Sequence, residues 1–186
     1  FGRRYAPNNI VAAFAGNFDW DRMRSLVSDH CRQWVTQEVV RETPHFAGRV
    51  EEAQLRQAGM ACEHLCFMSA GVSYQDPSYY AAMLLASIVG DSVGSRYFWE
   101  LVDKAIAEAA SMSVDGMDGT GSMISFVRCS PENAGMVMHV LQSIFETLAS
   151  DGVMEDELRM AKNKTLSALV IKNELPMGRL IDLGFN

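Results

Sequence analysis

AASMSVDGMDGTGSMISFVRCSPENAGMVMHVLQSIFETLASDG, residues 109–152, holds two strand-like runs, a turn and an amphipathic helix in direct succession. AASMSVDG (109–116) and GSMISFVRC (121–129) are joined by MDGTG, whose Asp-Gly pair is a hairpin signal. Ser130-Pro131 then opens a helix. Met136, Val137, Val140, Leu141, Ile144, Phe145 and Leu148 recur on one face, and Asp151-Gly152 closes it. A hairpin that feeds a helix with a single apolar stripe predicts an α+β fold: a mixed, mostly antiparallel sheet with helices packed on one face.

Toward the N-terminus, SRYFWELVDKAIAEA (95–109) reads as a short helix. Before it, PSYYAAMLLASIV (77–89) reads as a buried helix capped at Asp76-Pro77 and broken by Gly90 and Gly94. The glycines of GDSVGSR are expected to let two helices meet closely. RVEEAQLRQ (49–57) and MACEHLCFMSAG (60–71) read as strands around a turn at Ala58-Gly59. Residues 35–48, with a Pro, a Gly and no periodicity, read as a linker. IVAAFA (10–15) reads as a buried strand, followed by an Asp19-capped helix. Met23, Leu26, Val27, His30, Cys31 and Trp34 form its stripe, which places His30 and Cys31 on the core side. Toward the C-terminus, residues 154–175 carry acids in the first turn and lysines later, the order a helix dipole favours. Pro176 stops that helix and begins another. The segments starting at Ile10 and Ile124 share a strand, a cap at the same offset and an amphipathic helix, so the fold is expected to contain duplicated strand-helix units.

At 186 residues and 48% hydrophobic the chain can bury a core for one domain or one and a half. A formal charge of -7 without a Lys/Arg cluster argues against nucleic acid as a partner. AAMLLASIVG (81–90) is about half the ~20 residues of a membrane span. Four cysteines, Cys31, Cys62, Cys66 and Cys129, are too few for a disulfide framework and are expected to be buried free thiols, which favours a reducing compartment such as the cytoplasm. The opening FGRRYAPNN has neither an initiator Met nor a signal-peptide core and reads as part of a longer protein, so targeting stays unknown.

Three stretches carry a family resemblance: YAPNNIVAAFAGNFD (5–19), YYAAMLLASIVGDSVGSRYFWELVDK (79–104) and DELRMAKNKTLSALVIKNELPMGRLIDLG (156–184). In this order they resemble the pitrilysin/insulinase family of zinc metallopeptidases, specifically its carboxy-terminal, non-metal-binding domain. The resemblance implies the duplicated, mitochondrial-processing-peptidase-like α/β domain, two of which face each other around a chamber. It also implies a zinc metallopeptidase whose metal lies upstream of this chain, with residues here enclosing an extended peptide. Residues 1–36 would be the last strand and helix of a preceding domain, 37–48 a linker, and 49–186 the carboxy-terminal domain, truncated at its end. Its partners would be the zinc-binding domain of the same protein, or a partner subunit, and the peptide.

The inverted H-x-x-E-H of that family needs two His at i and i+4 on one helical face. Here His30, His45, His64 and His139 are followed four residues on by Trp34, Arg49, Met68 and Ser143. Cys62-Glu-His64-Leu-Cys66 is the one local cluster of ligand types. On a strand its outer thiols stand about 13 Å apart, too far to share an ion. No G-x-S-x-G elbow and no phosphate loop is present. No catalytic residue and no metal ligand is therefore assigned to this chain. Family members carry an Arg and, about seven residues on, a Tyr that grip the substrate. On that frame this chain has Val102 and Ala109, which cannot donate hydrogen bonds. Arg96 and Tyr97 are the candidates to reach substrate instead. Their alternatives are an i,i+4 ion pair with Glu100 and partial burial in the core. Backbone pairing at a sheet edge, or a domain retired from catalysis that serves as a scaffold, are the other ways to work without the grip. A strand at 10–15 without its sheet is expected to dock on this chain or to exchange with a second copy as a homodimer.

Overall fold

The computed structural model describes residues 5–38 and 48–185. In chain order its elements are a 3-10 turn Pro7–Asn9, α1 Trp20–Cys31, β1 Glu63–Ala70, α2 Tyr79–Gly90, a π-helical turn Phe98–Val102, β2 Ala109–Met117, β3 Thr120–Cys129, a 3-10 turn Pro131–Asn133, α3 Ala134–Asp151, α4 Glu155–Glu174 and α5 Pro176–Phe185. They fall into two compact units, Thr43–Thr165 and Phe1–Glu42 with Leu166–Asn186.

In the larger unit the hairpin forms where its turn signal stands. Met117 pairs with Thr120 across Asp118-Gly119, and Gly119 takes φ +72°, which a residue with a Cβ adopts only at a cost. Gln75 clasps this turn: its Nε2 donates to Asp118 Oδ1 at 2.8 Å and its Oε1 accepts from Gly119 N at 3.1 Å. β1 pairs antiparallel with the other side of β3, from Glu63↔Cys129 to Ala70↔Ser122, giving the order β1-β3-β2. The strand period of two then sorts the side chains. Ser125, Val127 and Cys129 of β3 are buried, whereas Phe126 and Arg128 are exposed. On the buried side lies one apolar cluster in which Val89 of α2, Tyr97, Leu101, Val127, Cys129 and Val137 of α3 are all 0% exposed. Each fully buried side chain of this size contributes about 1.5–3 kcal/mol. The opposite face, with His64, Cys66, Met68, Ser111, Ser113 and Phe126, is exposed. This is the expected α+β sheet with helices on one face.

Caps follow the sequence closely. Asp76 Oδ1 accepts from Ser78 N at 2.7 Å just ahead of α2, and α3 ends at Gly152, φ +75°, whose N–H donates to Leu148 O. Gly90 permits a close approach, though of a helix to a strand rather than of two helices. A Cβ there would stand 2.3 Å from Met112 N of β2.

Two expectations for this unit are corrected. RVEEAQLRQ forms no strand, although the turn at residues 58–59 is present with Gly59 at φ +85°. Its two large apolar residues, Val50 and Leu55, would fall on opposite faces of a strand, so neither face could be buried, and they are 106% and 93% exposed. The helix expected over 95–109 ends at the π-helical turn. Leu101 O accepts from both Ile106 N and Ala107 N, Ala105 adopts φ +54°, and Glu108 N already donates to Arg128 O. The sheet ladder claims this end of the segment because its alternation suits a strand: Ala110 is buried and Met112 and Val114 half-buried, between exposed serines.

In the smaller unit Asp19 Oδ1 caps α1 by accepting from Arg22 N at 2.9 Å. Asn8 and Gln37 clasp each other, Asn8 Nδ2 donating to Gln37 O and Gln37 N donating to Asn8 Oδ1. IVAAFA is not a strand, because no strand among the described residues pairs with it, and an unpaired strand leaves half its backbone groups unsatisfied. The α1 stripe is narrower than expected. Met23, Val27 and Cys31 are half-buried, but His30, Leu26 and Trp34 are exposed, since no residue of α1 is fully covered. α4 begins in the larger unit and ends in the smaller, where α5 follows Pro176 and Gly178 is packed so tightly that a Cβ would meet Lys172 O at 1.9 Å. Of the linker at 35–48, residues 39–47 lie outside the described residues. The second strand-helix unit is present as β3 and α3; the first retains its helix without the strand. All four cysteines are free, but only Cys129 is buried, because Cys66 points to the uncovered sheet face and Cys31 and Cys62 are half-covered. No helix among the described residues is long and apolar enough to cross a membrane.

Candidate functional site

Ser95 Oγ accepts from Phe98 N and donates to Asp91 O, which fixes the turn leading into the π-helical segment. This turn sends Arg96 and Tyr97 to separate destinations. Arg96 Nε donates to Glu157 Oε1 at 2.8 Å, and its Nη2 donates to Glu157 Oε2 at 2.9 Å and to Gly152 O at 2.8 Å. Both side chains are mostly covered, 15% and 27% exposed. Glu157 Oε2 also accepts from Met154 N, so the same carboxylate caps the start of α4. Hydrogen bonding and charge from Arg96 hold the Glu157 carboxyl below the usual carboxylate range. Arg96 thus ties the π-helical turn to the end of α3 and the beginning of α4, and Glu100 pairs instead with Lys104.

Tyr97 is 0% exposed and shares a 2.8 Å hydrogen bond with Ser125 of β3, its ring edge-on to Phe145. Burial pushes its phenol up, which keeps the proton available for that bond. Val102 is half-buried against the core cluster. Ala109 is exposed at the start of β2, opposite Arg128. Val102 and Ala109, the two positions expected for a substrate grip, are therefore one core-facing and one surface residue, each without a side-chain donor.

On the uncovered face His64 and Cys66 of β1 point outward, and the His64 ring lies 5.5 Å from that of Phe126. Cys62 instead bonds through Sγ to Glu108 Oε1 at 3.5 Å, and Glu108 pairs with Arg128 at 2.8 Å. That hydrogen bond pushes the Cys62 thiol up, away from the thiolate a nucleophile needs. Among the described residues no group of three or more His, Cys, Asp or Glu is placed to hold a metal ion. The arrangement can present a surface to an extended chain, and its one thiol–carboxylate contact among the described residues, Cys62 with Glu108, favours the protonated thiol. Sequence reasoning missed Glu157. Its place in the first turn of α4 was visible, but nothing local linked it to Arg96, 61 residues earlier.

Residues 1–165 match the family model described as the peptidase M16 inactive domain. An uncharacterized zinc protease of Mycobacterium leprae is 26% identical over 174 residues, covering 91% of this chain and 39% of that protein. One from Mycobacterium bovis is 27% identical over 187 residues, covering 98% and 43%. The chain spans about two-fifths of the length of these curated relatives. Among solved structures, a protease from Helicobacter pylori superposes with TM-score 0.74 at 15% identity, over 88% of this chain and 41% of that one. A peptidase M16 inactive domain from Pseudomonas fluorescens gives 0.61 at 20%, over 66% and 30%. These two likenesses establish the fold. The match over residues 1–165 establishes the family, and the chain belongs to the peptidase M16 inactive domains.

Proposed function

We propose that this chain is the carboxy-terminal, non-metal-binding part of a zinc-dependent metalloendopeptidase, where it encloses and orients an extended peptide while a zinc site upstream carries the chemistry. The observation that carries this reading is the two-faced sheet. One face is sealed by α2 and α3, and the other presents exposed side chains. The relatives named zinc proteases, each more than twice the matched length, support an active partner domain in the parent. In that parent a zinc-bound water would attack the peptide carbonyl, and this domain would lower the entropy cost of presenting it. Arg96 and Tyr97 serve the peptide indirectly, by fixing the π-helical turn behind the wall. Residues 1–36 close the preceding domain, 37–48 link, and 49–186 form the carboxy-terminal domain. The compact unit Thr43–Thr165 supports a boundary at the linker, whereas Leu166–Asn186 cluster with Phe1–Glu42. The exposed Val11, Trp20, Trp34 and Val35 support burial of the first segment against another body, whether the parent's zinc domain or, in isolation, a second copy.

The test is turnover of an unstructured, internally quenched peptide. The chain alone with added zinc is expected to show none, and the full-length parent is expected to cleave and to stop when zinc is chelated. Cleavage by the chain alone would overturn the reading. A noncatalytic scaffold or partner subunit is the second reading, favoured by Val102 and Ala109. It is the correct one if the parent's reading frame lacks an H-x-x-E-H helix about one domain length, roughly 100–200 residues, upstream.

A further inference from the structure

Between the π-helical turn and the C-terminal half of α3 lies an open cavity of about 540 Å³. Its floor is apolar, with Ile144 of α3, and Trp99 stands at its side, 53% exposed, its ring edge-on to Phe98 at 4.9 Å. A π-helical turn inserts an extra residue into a helix and is often found at functional sites. Here the turn carries both Trp99 and Glu100 to the cavity. An exposed indole beside a cavity costs hydration of apolar surface, and Trp99 belongs neither to the buried core cluster nor to the side chains packed against it.

The charge of the lining selects the ligand. Glu100, Asp151 and Glu157 face a single guanidinium, Arg96. Arg96 spends its Nε and Nη2 on Glu157 and Gly152, and Asp151 acts on it as a second negative neighbour. Lys104 offsets Glu100 from outside the lining. Asp151 and Gly152, at the C-terminal end of α3 where the helix dipole is negative, line the same cavity. An anion would meet an Arg whose Nε and Nη2 are already engaged by Glu157 and Gly152, whereas a cation meets the Asp151 carboxylate and an aromatic face. We propose that this cavity binds an alkylguanidinium or alkylammonium group, its charge beside Asp151 and Glu100, its apolar stem on Ile144 and its cationic head against the Trp99 ring. The site lies on the helical side of the sheet, so it is independent of the wall on the uncovered face and does not rest on the peptidase reading.

The experiment uses the whole 186-residue chain labelled with nitrogen-15, at pH 8. The chain has three tryptophans, and Trp20 and Trp34 belong to the other unit, so their indole signals are internal controls. Trp99 is assigned by Trp99→Phe. Titration with acetyl-Ala-Arg-Ala-amide is expected to move the Trp99 indole signal alone, with a dissociation constant on the order of 1 mM. Acetyl-Ala-Glu-Ala-amide is expected to leave it in place. Ethylguanidinium separates the sources: tighter binding of the tripeptide identifies a peptide side chain, and equal or tighter binding of ethylguanidinium identifies a free small cation. The double substitution Glu100→Gln with Asp151→Asn, both surface positions, is expected to weaken binding about three- to tenfold. No movement with either cation, an equal response to the Glu peptide, or unchanged affinity in the double variant would each overturn the proposal.

Discussion

Replacing Arg96 by Ala deletes three charge-assisted hydrogen bonds, two to Glu157 and one to Gly152 O, each 2.8–2.9 Å long. A hydrogen bond to a charged group is worth about 1.5–3 kcal/mol, and breaking a fully buried pair costs about 3–5 kcal/mol. The upper figure does not apply here. Glu157 is 27% exposed, so water can take up part of its freed carboxylate, and Met154 N still donates to it. The loss should be about 2–3 kcal/mol, including the aliphatic stem of a side chain that is only 15% exposed. For a chain of this length that lowers Tm by roughly 6–9 °C. Urea unfolding followed by far-ultraviolet circular dichroism measures it, with Arg96→Lys as the comparison. The ammonium keeps the charge but cannot make the two-pronged contact, so it should recover only about half the loss. If Arg96→Ala unfolds within about 0.5 kcal/mol of the parent, the side chain is not the fastener described here. If it stays stable yet loses peptide binding in the full-length protein, Arg96 touches substrate directly.

The same pair should respond to pH with a definite sign. Arg96 holds the folded carboxyl of Glu157 below its unfolded value of about 4.3, so the stabilisation is complete above that pH and is lost as pH falls through the lower folded value. The stability gap between the parent and Arg96→Ala is therefore expected to shrink below about pH 4, and a constant gap down to pH 3 would contradict the assignment. Gly90→Ala should cost about 3 kcal/mol or more, because the added carbon meets Met112 backbone at 2.3 Å, whereas Gly135→Ala in α3, with nothing within 4 Å, should add about 0.5–1 kcal/mol; urea midpoints separate the two. In native buffer a thiol reagent should modify Cys66 first and spare Cys129 until the chain unfolds, since Cys129 is 0% exposed and burial pushes its thiol up. Peptide mapping reads the order.

Where local chemistry and periodicity agreed, the sequence was sufficient. The hairpin over 109–129 needed only Asp118-Gly119 and alternation, and α3 needed only its stripe and Gly152. Apart from RVEEAQLRQ, whose own spacing put Val50 and Leu55 on opposite faces, the failures depended on a partner distant in the chain. IVAAFA looks like a strand because it is apolar, but a strand exists only with a neighbour to pair with. The Arg96-Glu100 pair, the alternative to substrate contact in the sequence, lost to two rivals. Glu100 prefers Lys104, because acid before base is the better order along a helix, and Arg96 found Glu157 across the fold. The candidate site was legible as an absence, Val102 and Ala109 without donors. The fastening behind it and the cavity beside Trp99 were not, since both arise from contacts between residues tens of positions apart.

The positions of Val102 and Ala109 show how residues without side-chain donors at the two sites expected for a substrate grip remain compatible with the fold. Val102 packs on the core cluster, where a methyl-bearing side chain is worth more to stability than an Arg would be. Ala109 enters the sheet opposite Arg128 through its backbone, which any non-proline side chain permits. Neither change removes a partner from a buried polar group, and among the described residues that are not exposed no buried side-chain nitrogen or oxygen lacks one. What such changes would sacrifice is contact with substrate, a term that the folding free energy does not contain. The outward face follows the same logic. An antiparallel sheet usually turns polar residues to water, yet β1 and β3 turn out His64, Cys66, Met68 at 70% exposure and Phe126 at 40%. On the function proposed above, an extended peptide held against the sheet would cover this face without requiring a specific side chain from this domain, and the Arg96 fastener would keep the surface in place.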